Sequence, residues 1–175
     1  MISYKQKLKN ITTLIFDVDG VLTDGSLILT ADGEMVRTMN TKDGYAIRLA
    51  IKKGFRIAVI TGGSDRMVEQ RLRYLGVTDI YLGSRNKLDS FEDLVFSYNL
   101  KPEEILFMGD DIPDLEVMKK VGLACCPNDA VADIRSICEY ISLLNGGKGC
   151  VRDIIEQTMK VQGKWYDSDD HTQSV

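Results

Sequence analysis

Two aspartates one residue apart, Asp17 and Asp19, follow the apolar run Leu14-Ile15-Phe16 and precede Gly20. The run reads as a buried parallel strand. A period of 2 places both carboxylates on one side of the chain and turns Val18 toward the core. Carboxylates so close repel each other unless a positive group lies between them, and a divalent cation with oxygen ligands, magnesium above all, meets that need. An acidic strand-to-loop turn is the plainer explanation of an Asp-x-Asp pair taken alone, so the rest of the chain has to decide. Three further polar signals follow apolar runs: Thr61-Gly62-Gly63 after Phe55–Ile60, Lys87 after Asp79–Leu82, and Gly109-Asp110-Asp111-Ile112-Pro113-Asp114 after Ile105–Met108. If those runs are parallel strands, all four signals meet at one sheet edge, beyond the carboxyl ends where open α/β sheets bind ligands.

The elements that must bring them there alternate between strand and helix. Residues 1–10 read as a polar lead-in with one helical turn. Asp32-Gly33 between two short β-like runs predicts a hairpin over about 26–39. Asn40–Gly44 leads into a helix with apolar positions Ile47, Leu49, Ala50 and Ile51, ended by Gly54. Ser64 or Asp65 caps a helix to about Leu75, Lys87 opens another through about Tyr98, and Pro102 starts a short turn. Beyond the fourth strand a helix is expected from about Leu115 to Val121, then a strand Leu123–Cys125, a short helix near Ala130–Ile134 and a small strand Tyr140–Ile141. Gly146-Gly147-Lys148-Gly149 reads as a flexible break, Val151–Val161 as the last helix, and the chain from Trp165 onward as disordered. The pattern predicts an α/β, doubly wound (Rossmann-like) three-layer sandwich with a parallel sheet and right-handed crossovers. One domain over 1–164 and a flexible tail over 165–175 are expected.

Composition removes whole classes of function. At 175 residues the chain suits one domain with a proper core. A net charge of -4 without a basic cluster argues against coating nucleic acid. The sequence shows no apolar run long enough to span a bilayer and no signal-peptide pattern, so no membrane partner and a cytoplasmic location are expected. Cys125, Cys126, Cys138 and Cys150 show no metal-ligand spacing and read as reduced, mostly buried residues. The single histidine, His171, sits in the polar tail, which excludes histidine-based catalysis.

D-x-D-G after the first strand, T-G-G after the second, a lysine heading a later helix and G-D-D-x-x-D after the fourth resemble, in that order, the haloacid dehalogenase-like phosphohydrolases over residues 12–161. The strings FDVDGVLTDG, NTKDGYAIRLA, ITGG, SRNKL, MGDDIPD, MKKVGLACCPNDA, GGKGCVRD and the later QGK resemble the family's small capless branch of sugar-acid phosphatases. The resemblance implies catalytic roles for Asp17, Asp19, Thr61 and Lys87. Asp17 would attack phosphorus and form an aspartyl-phosphate, while Asp19 would protonate the leaving oxygen and then activate water. Spacing alone would permit these two roles to be exchanged. Mg2+ would be held by the Asp17 carboxylate, the Asp19 carbonyl and Asp110, with Asp111 and Asp114 in support. Thr61 and the Gly62 N–H would hold phosphate oxygens, and Lys87 would offset the gathered negative charge. Each has a plain reading beside this one: Thr61-Gly62-Gly63 as a turn, Lys87 as a surface lysine at a helix start, Asp114 as the N-cap of the helix at Leu115.

For substrate, the closer resemblance implies 3-deoxy-D-manno-octulosonate 8-phosphate, an intermediate toward lipopolysaccharide. It implies contacts from Asp19, Asn40, Thr41, Lys42, Asp43, Gly44, Arg48, Gly62, Gly63, Arg71 and Lys87, the arginines suiting a carboxylate, and Arg152, after the glycines, is placed to complete this site or a neighbour's. Some members of the branch carry a long side chain where this chain has Gly63, which leaves a roomier pocket. A nine-carbon sugar acid 9-phosphate is the rival substrate, and a non-catalytic binding member of the fold the rival class. Residues 20–60 and 88–108 leave no room for a cap domain, so a neighbouring subunit is expected to cover the site. Leu27, Leu29, Met35 and Val36 of the hairpin lack an obvious core, and the resemblance implies a homotetramer built through it, with the C-terminal segment reaching a neighbour's site.

Overall fold

The structure, a computed structural model, describes residues 3–167 and 170. In chain order the first half comprises α1 (Tyr4–Leu8), β1 (Thr13–Phe16), the hairpin strands β2 (Ile28–Leu29) and β3 (Met35–Val36), α2 (Thr41–Lys52), β4 (Arg56–Ile60), α3 (Arg66–Tyr74) and β5 (Asp79–Tyr81). The second half comprises α4 (Lys87–Tyr98), β6 (Ile105–Met108), α5 (Leu115–Met118), β7 (Leu123–Cys126), α6 (Ala132–Ile137), β8 (Tyr140–Ile141) and α7 (Cys150–Val161). The main sheet runs β5-β4-β1-β6-β7-β8, every pairing parallel. From β1 the chain winds outward through β4 and β5, then returns to the other side for β6, β7 and β8. The direction of winding reverses between β1 and β6, and a crevice opens there beyond their carboxyl ends.

Side-chain alternation builds the three layers. Leu14, Phe16, Ile57, Val59, Leu106 and Met108 face a core shared with α2, α3 and α7. Ile15, Ala58, Ile60, Ile105 and Phe107 face the opposite core, packed by α4, α5 and α6. Because both faces are covered, the strands read as continuous apolar runs. Only a tight turn over Val18–Leu22, the hairpin and α2 lie between β1 and β4, and only α4 with a short 3-10 turn between β5 and β6, so the fold carries no cap domain.

Three local readings change. α5 stops at Met118 instead of reaching Val121, because Gly122 donates to Pro102 O at 2.8 Å and starts β7. α6 begins at Ala132 instead of near Ala130, since Ala130 N bonds back to Pro127 O and Val131 N to Asp110 O. The glycines at 146–149 are not a flexible break. Gly146 N donates to the Asp129 carboxylate at 2.9 Å, Gly147 N donates to Val21 O at 2.9 Å, and a Cβ on Gly146 would lie 1.9 Å from Gly20 O. Glycine is required there because the loop is pressed against the turn that follows β1.

The hairpin stands apart from the main sheet, and Leu27, Ile28, Leu29, Met35 and Val36 are all exposed. The expected disorder from Trp165 differs from what the structure describes. Trp165 packs against the core and over the Arg152 guanidinium, and Asp170 pairs with Lys52 at 2.7 Å. The rest of that expected tail, 168–169 and 171–175 with His171, lies outside the described residues. Among the described residues no helix is long and apolar enough to cross a membrane.

Gly146→Ala should lower stability by about 1–3 kcal/mol, since its methyl group meets backbone that cannot yield. Gly62→Ala, where the nearest heavy atom is 3.9 Å away, should stay within about 0.5 kcal/mol of the parent. Urea midpoints of the two variants check the contrast.

Candidate active site

At the end of β1 the Asp17 N–H donates to Met108 O of the neighbouring strand, and the chain leaves the sheet through a tight turn over Val18–Leu22. Val18, Val21 and Leu22 are buried and anchor this turn, while Gly20 takes φ 87°. The Asp17 carboxylate accepts from its own turn, Val18 N to Oδ1 at 2.6 Å. At the end of β4, Thr61 N donates to Tyr81 O, and the following loop is bonded to the one after β5 through Ser84 N to Thr61 O and Gly83 N to Gly63 O, each at 2.9 Å. Asn86 caps α4 and sets Lys87 at its first turn with the side chain directed inward. Asp17, Asp19, Thr61, Gly62, Gly63, Lys87, Asp110, Asp111 and Asp114 all line one cleft of ≈ 530 Å3.

Lys87 is not a surface lysine. It is buried, with Nζ 2.9 Å from Asp17 Oδ1 and 2.7 Å from Asp114 Oδ1. Asp114 makes no side-chain bond to the helix that starts at Leu115, so the N-cap reading is corrected. Its Oδ2 turns back to accept from the N–H of Asp110 at 3.0 Å and of Asp111 at 3.4 Å. Asp111 instead accepts from Ile112 N at 2.7 Å at the start of a short 3-10 turn.

One lysine does not balance this many carboxylates. Asp17, Asp110 and Asp114 present oxygens all within 4.8 Å of one another. Burial, reinforced by the charge of Asp114, pushes Asp17 up to about 6. Burial, then Asp17 and Asp114, pushes Asp110 up to about 7. Burial alone would lower Lys87, but the two carboxylates outweigh it and raise the ammonium above its ordinary value. Asp110 Oδ1 is buried without a hydrogen-bond donor. Gly20 makes the close approach possible, since a Cβ there would fall 2.0 Å from Asp110 Oδ2. An orphaned buried oxygen inside an all-oxygen donor set fits a hard divalent cation such as Mg2+.

Several residues of the site escape a reading by sequence. Arg37, just past β3, places its guanidinium on Asp19 with Nε to Oδ1 at 2.7 Å and Nη2 to Oδ2 at 3.0 Å, and Nη1 reaches Asp65 at 2.9 Å. Nothing in its spacing marks it, because the hairpin that carries it returns to the site only in three dimensions. Ser84 and Arg85 also line the cleft, and their place just ahead of Lys87 was the available signal.

The other residues expected at the substrate stand outside this cleft within one chain. Asn40 and Thr41 start α2, where the Asn40 side chain caps Lys42 N and donates to Gly147 O. Lys42 and Arg152 border a second cleft of ≈ 480 Å3. Asp43 is buried, accepts from Arg152 N at 2.7 Å, and is pushed up to about 6 chiefly by burial. Gly44 lies against Arg71, whose side chain sits in a groove beneath the hairpin, and Arg48 donates to Tyr74 O and stacks on its ring.

Comparison with known proteins bears on this arrangement. A family model described as haloacid dehalogenase-like hydrolase matches residues 42–122. The 3-deoxy-D-manno-octulosonate 8-phosphate phosphatase of Escherichia coli K12 is 40% identical over 158 residues, covering 90% of this chain and 84% of that protein. The crystal structure of the phosphatase of the same description from Yersinia pestis superimposes with a TM-score of 0.89 at 35% identity, covering 91% of this chain and 86% of that one. The corresponding protein from Moraxella catarrhalis, solved with a magnesium ion, a phosphate ion and a KDO molecule, gives a TM-score of 0.89 at 30% identity and 92% coverage of both chains.

The raised carboxylates make a signed prediction. Asp17 and Asp110 lie above their ordinary value of 3.8, so the cation-free fold binds more protons than the unfolded chain between about pH 4 and 7. Their contribution therefore destabilises at pH 8 and is relieved as pH falls toward 5. In chelator, the wild type should gain more stability from pH 8 to 5 than Asp110→Asn. Saturating Mg2+ should raise the melting temperature most at pH 8, by the equivalent of about 2.7 kcal/mol at a hundredfold excess over Kd. Scanning calorimetry of both proteins, with Mg2+ and with chelator, checks both slopes.

Proposed function

The chain belongs to the haloacid dehalogenase-like hydrolases, and we propose that within them it is a magnesium-dependent phosphatase that releases phosphate from 3-deoxy-D-manno-octulosonate 8-phosphate. The observation that carries this reading is Asp17, a buried carboxylate with one oxygen fixed by Lys87 and Val18 N–H and the residue open to a cleft beside Thr61 and Gly62. Asp17 Oδ2, which accepts no hydrogen bond among the described residues, attacks phosphorus as the bond to the sugar oxygen breaks. Asp19 gives its proton to that leaving oxygen, then takes one from the water that cleaves the aspartyl-phosphate. Thr61 Oγ1 and the N–H groups of its loop hold the non-bridging oxygens, and Lys87 balances charge gathering at Asp17. Asp17, the Asp19 carbonyl and Asp110 would hold Mg2+, with Asp111 and Asp114 in support, and the bound ion would supply positive charge to the phosphoryl group.

The named relatives support the eight-carbon sugar acid, and the Moraxella protein's bound KDO supports its acid portion. The nine-carbon substrate is the second reading, favoured by the space over Gly63, whose added Cβ would meet nothing nearer than 3.6 Å. In the same reading the enzyme is a single cytoplasmic domain over residues 1–164. It assembles as a homotetramer through the exposed apolar hairpin, which would bring Asn40–Gly44, Arg48, Arg71, Arg152 and the C-terminal segment toward neighbouring clefts.

Phosphate release from a panel of sugar-acid phosphates should be highest on the eight-carbon compound and vanish in chelator. Preference for the nine-carbon compound would withdraw the substrate and keep the chemistry. Asp17→Asn should fold normally and turn over at background rate, because an amide oxygen is a poor nucleophile; retained turnover would remove Asp17 from that role. Light scattering should give a tetramer at micromolar concentration, and Leu29→Glu a smaller species.

A further inference from the structure

Asp19 is the most exposed of the reactive carboxylates, its side chain 35% accessible, yet Arg37 above it is only 8% accessible. A half-exposed carboxylate on a turn has rotational freedom, and proton transfer to a departing oxygen tolerates little of it. Among the described residues the one other side-chain hydrogen bond to Asp19 is a long one, Thr23 Oγ1 at 3.4 Å. The Arg37 fork engages both carboxylate oxygens, which fixes the plane of the group as no single bond would.

The fork is itself anchored. Arg37 Nη1 donates to Met35 O on the hairpin at 3.0 Å and to Asp65 Oδ2 at 2.9 Å. The other oxygen of Asp65 caps α3, accepting from Met67 N at 2.7 Å and Val68 N at 3.2 Å. Arg37 thus spans three elements: the turn after β1, the return strand of the hairpin and the start of α3. A Cβ at Gly63 would lie 3.6 Å from both Arg37 Nη2 and Asp19 Oδ2, so the fork sits directly behind the part of the cleft that Asp19 and Gly63 line.

We propose that Arg37 is a positioning residue for the reaction: it sets the carboxylate of Asp19 for proton transfer to the leaving oxygen and ties that setting to the hairpin. The inference rests on the acid role of Asp19 proposed above. In the transfer, the proton on Asp19 passes to the oxygen as the P–O bond breaks, and Arg37 keeps its bond to the second carboxylate oxygen throughout.

The test exploits leaving-group demand. A sugar alkoxide leaves poorly without a proton, whereas p-nitrophenolate leaves without one. kcat/KM covers steps through leaving-group departure, so aspartyl-phosphate hydrolysis does not mask the difference. Arg37→Met should lose about a hundredfold in kcat/KM on the alkyl sugar-acid phosphate and less than about tenfold on p-nitrophenyl phosphate. Arg37→Lys, which retains charge but not the fork, should recover part of the alkyl loss. Equal losses on both substrates, or a gain on the alkyl one, overturn the proposal. Asp19→Asn separates the two readings: if it shows no alkyl-selective loss, the acid role of Asp19 fails, and if it does while Arg37→Met does not, only the inference falls. Should Arg37→Met fail to fold, Asp65→Asn keeps the α3 cap, weakens the anchor and decides by the same ratio.

Discussion

Lys87 lies between Asp17 and Asp114, and the active end of the sheet depends on that contact. Two carboxylates and an ammonium are withdrawn from water together, which is tolerable only with close geometry and the remaining polar atoms satisfied. Asp114 passes the constraint on, since its second oxygen gathers the N–H groups of Asp110 and Asp111. One buried lysine therefore orders the turn after β1, the start of α4 and the loop after β6. Burial first, and then the mutual repulsion of carboxylates that one lysine does not balance, raises Asp17 and Asp110, and Asp110 Oδ1 is left without a donor. The donor set is built to a cation's requirements.

Close backbone approach is the second condition. At Gly109 a Cβ would sit 2.5 Å from the Asp114 side chain, so the loop can fold its carboxylate back over its own N–H groups only without one. At Gly146 the loop before α7 is pressed against Gly20 O, which buttresses the turn carrying Asp17 and Asp19 from below. α7 is the natural brace for that turn, since Cys150 Sγ donates to Val21 O and Gly147 N to the same carbonyl. The segment that reads as slack in sequence is part of the rigid support of the chemistry.

On the proposed reading, the substrate machinery around this core is divided. The transferring end is complete within one chain, from Asp17 to the paired loops at Thr61 and Ser84. The cations offered for a sugar acid are not. Arg48 is spent on Tyr74, Arg71 lies under the hairpin, and Arg152 stacks near Tyr45 and Trp165 and pairs with Glu156. An enzyme without a cap has to exclude water by other means, and in the proposed tetramer the exposed apolar hairpin, tied to Asp19 through Arg37, would serve that end.

The sheet and its order of signals were legible in the sequence because burial on both faces leaves unbroken apolar runs, and a polar residue that ends such a run lies at the sheet edge. Asp17, Thr61, Lys87 and Asp110 each stand directly beyond an apolar run or at the helix start after it, so their convergence follows from parallel winding alone. Which oxygen meets which donor did not follow. Asp114 reads locally as a helix cap and acts instead on Lys87 and two N–H groups, because a buried ammonium outcompetes a helix end. Arg37 is one of 22 lysines and arginines with no distinguishing neighbour, and only the fold of the hairpin brings it to Asp19. Local pattern determines what each segment becomes; the pairing of charges separated by tens of residues is decided by tertiary packing, where burial sets the strength of every such contact.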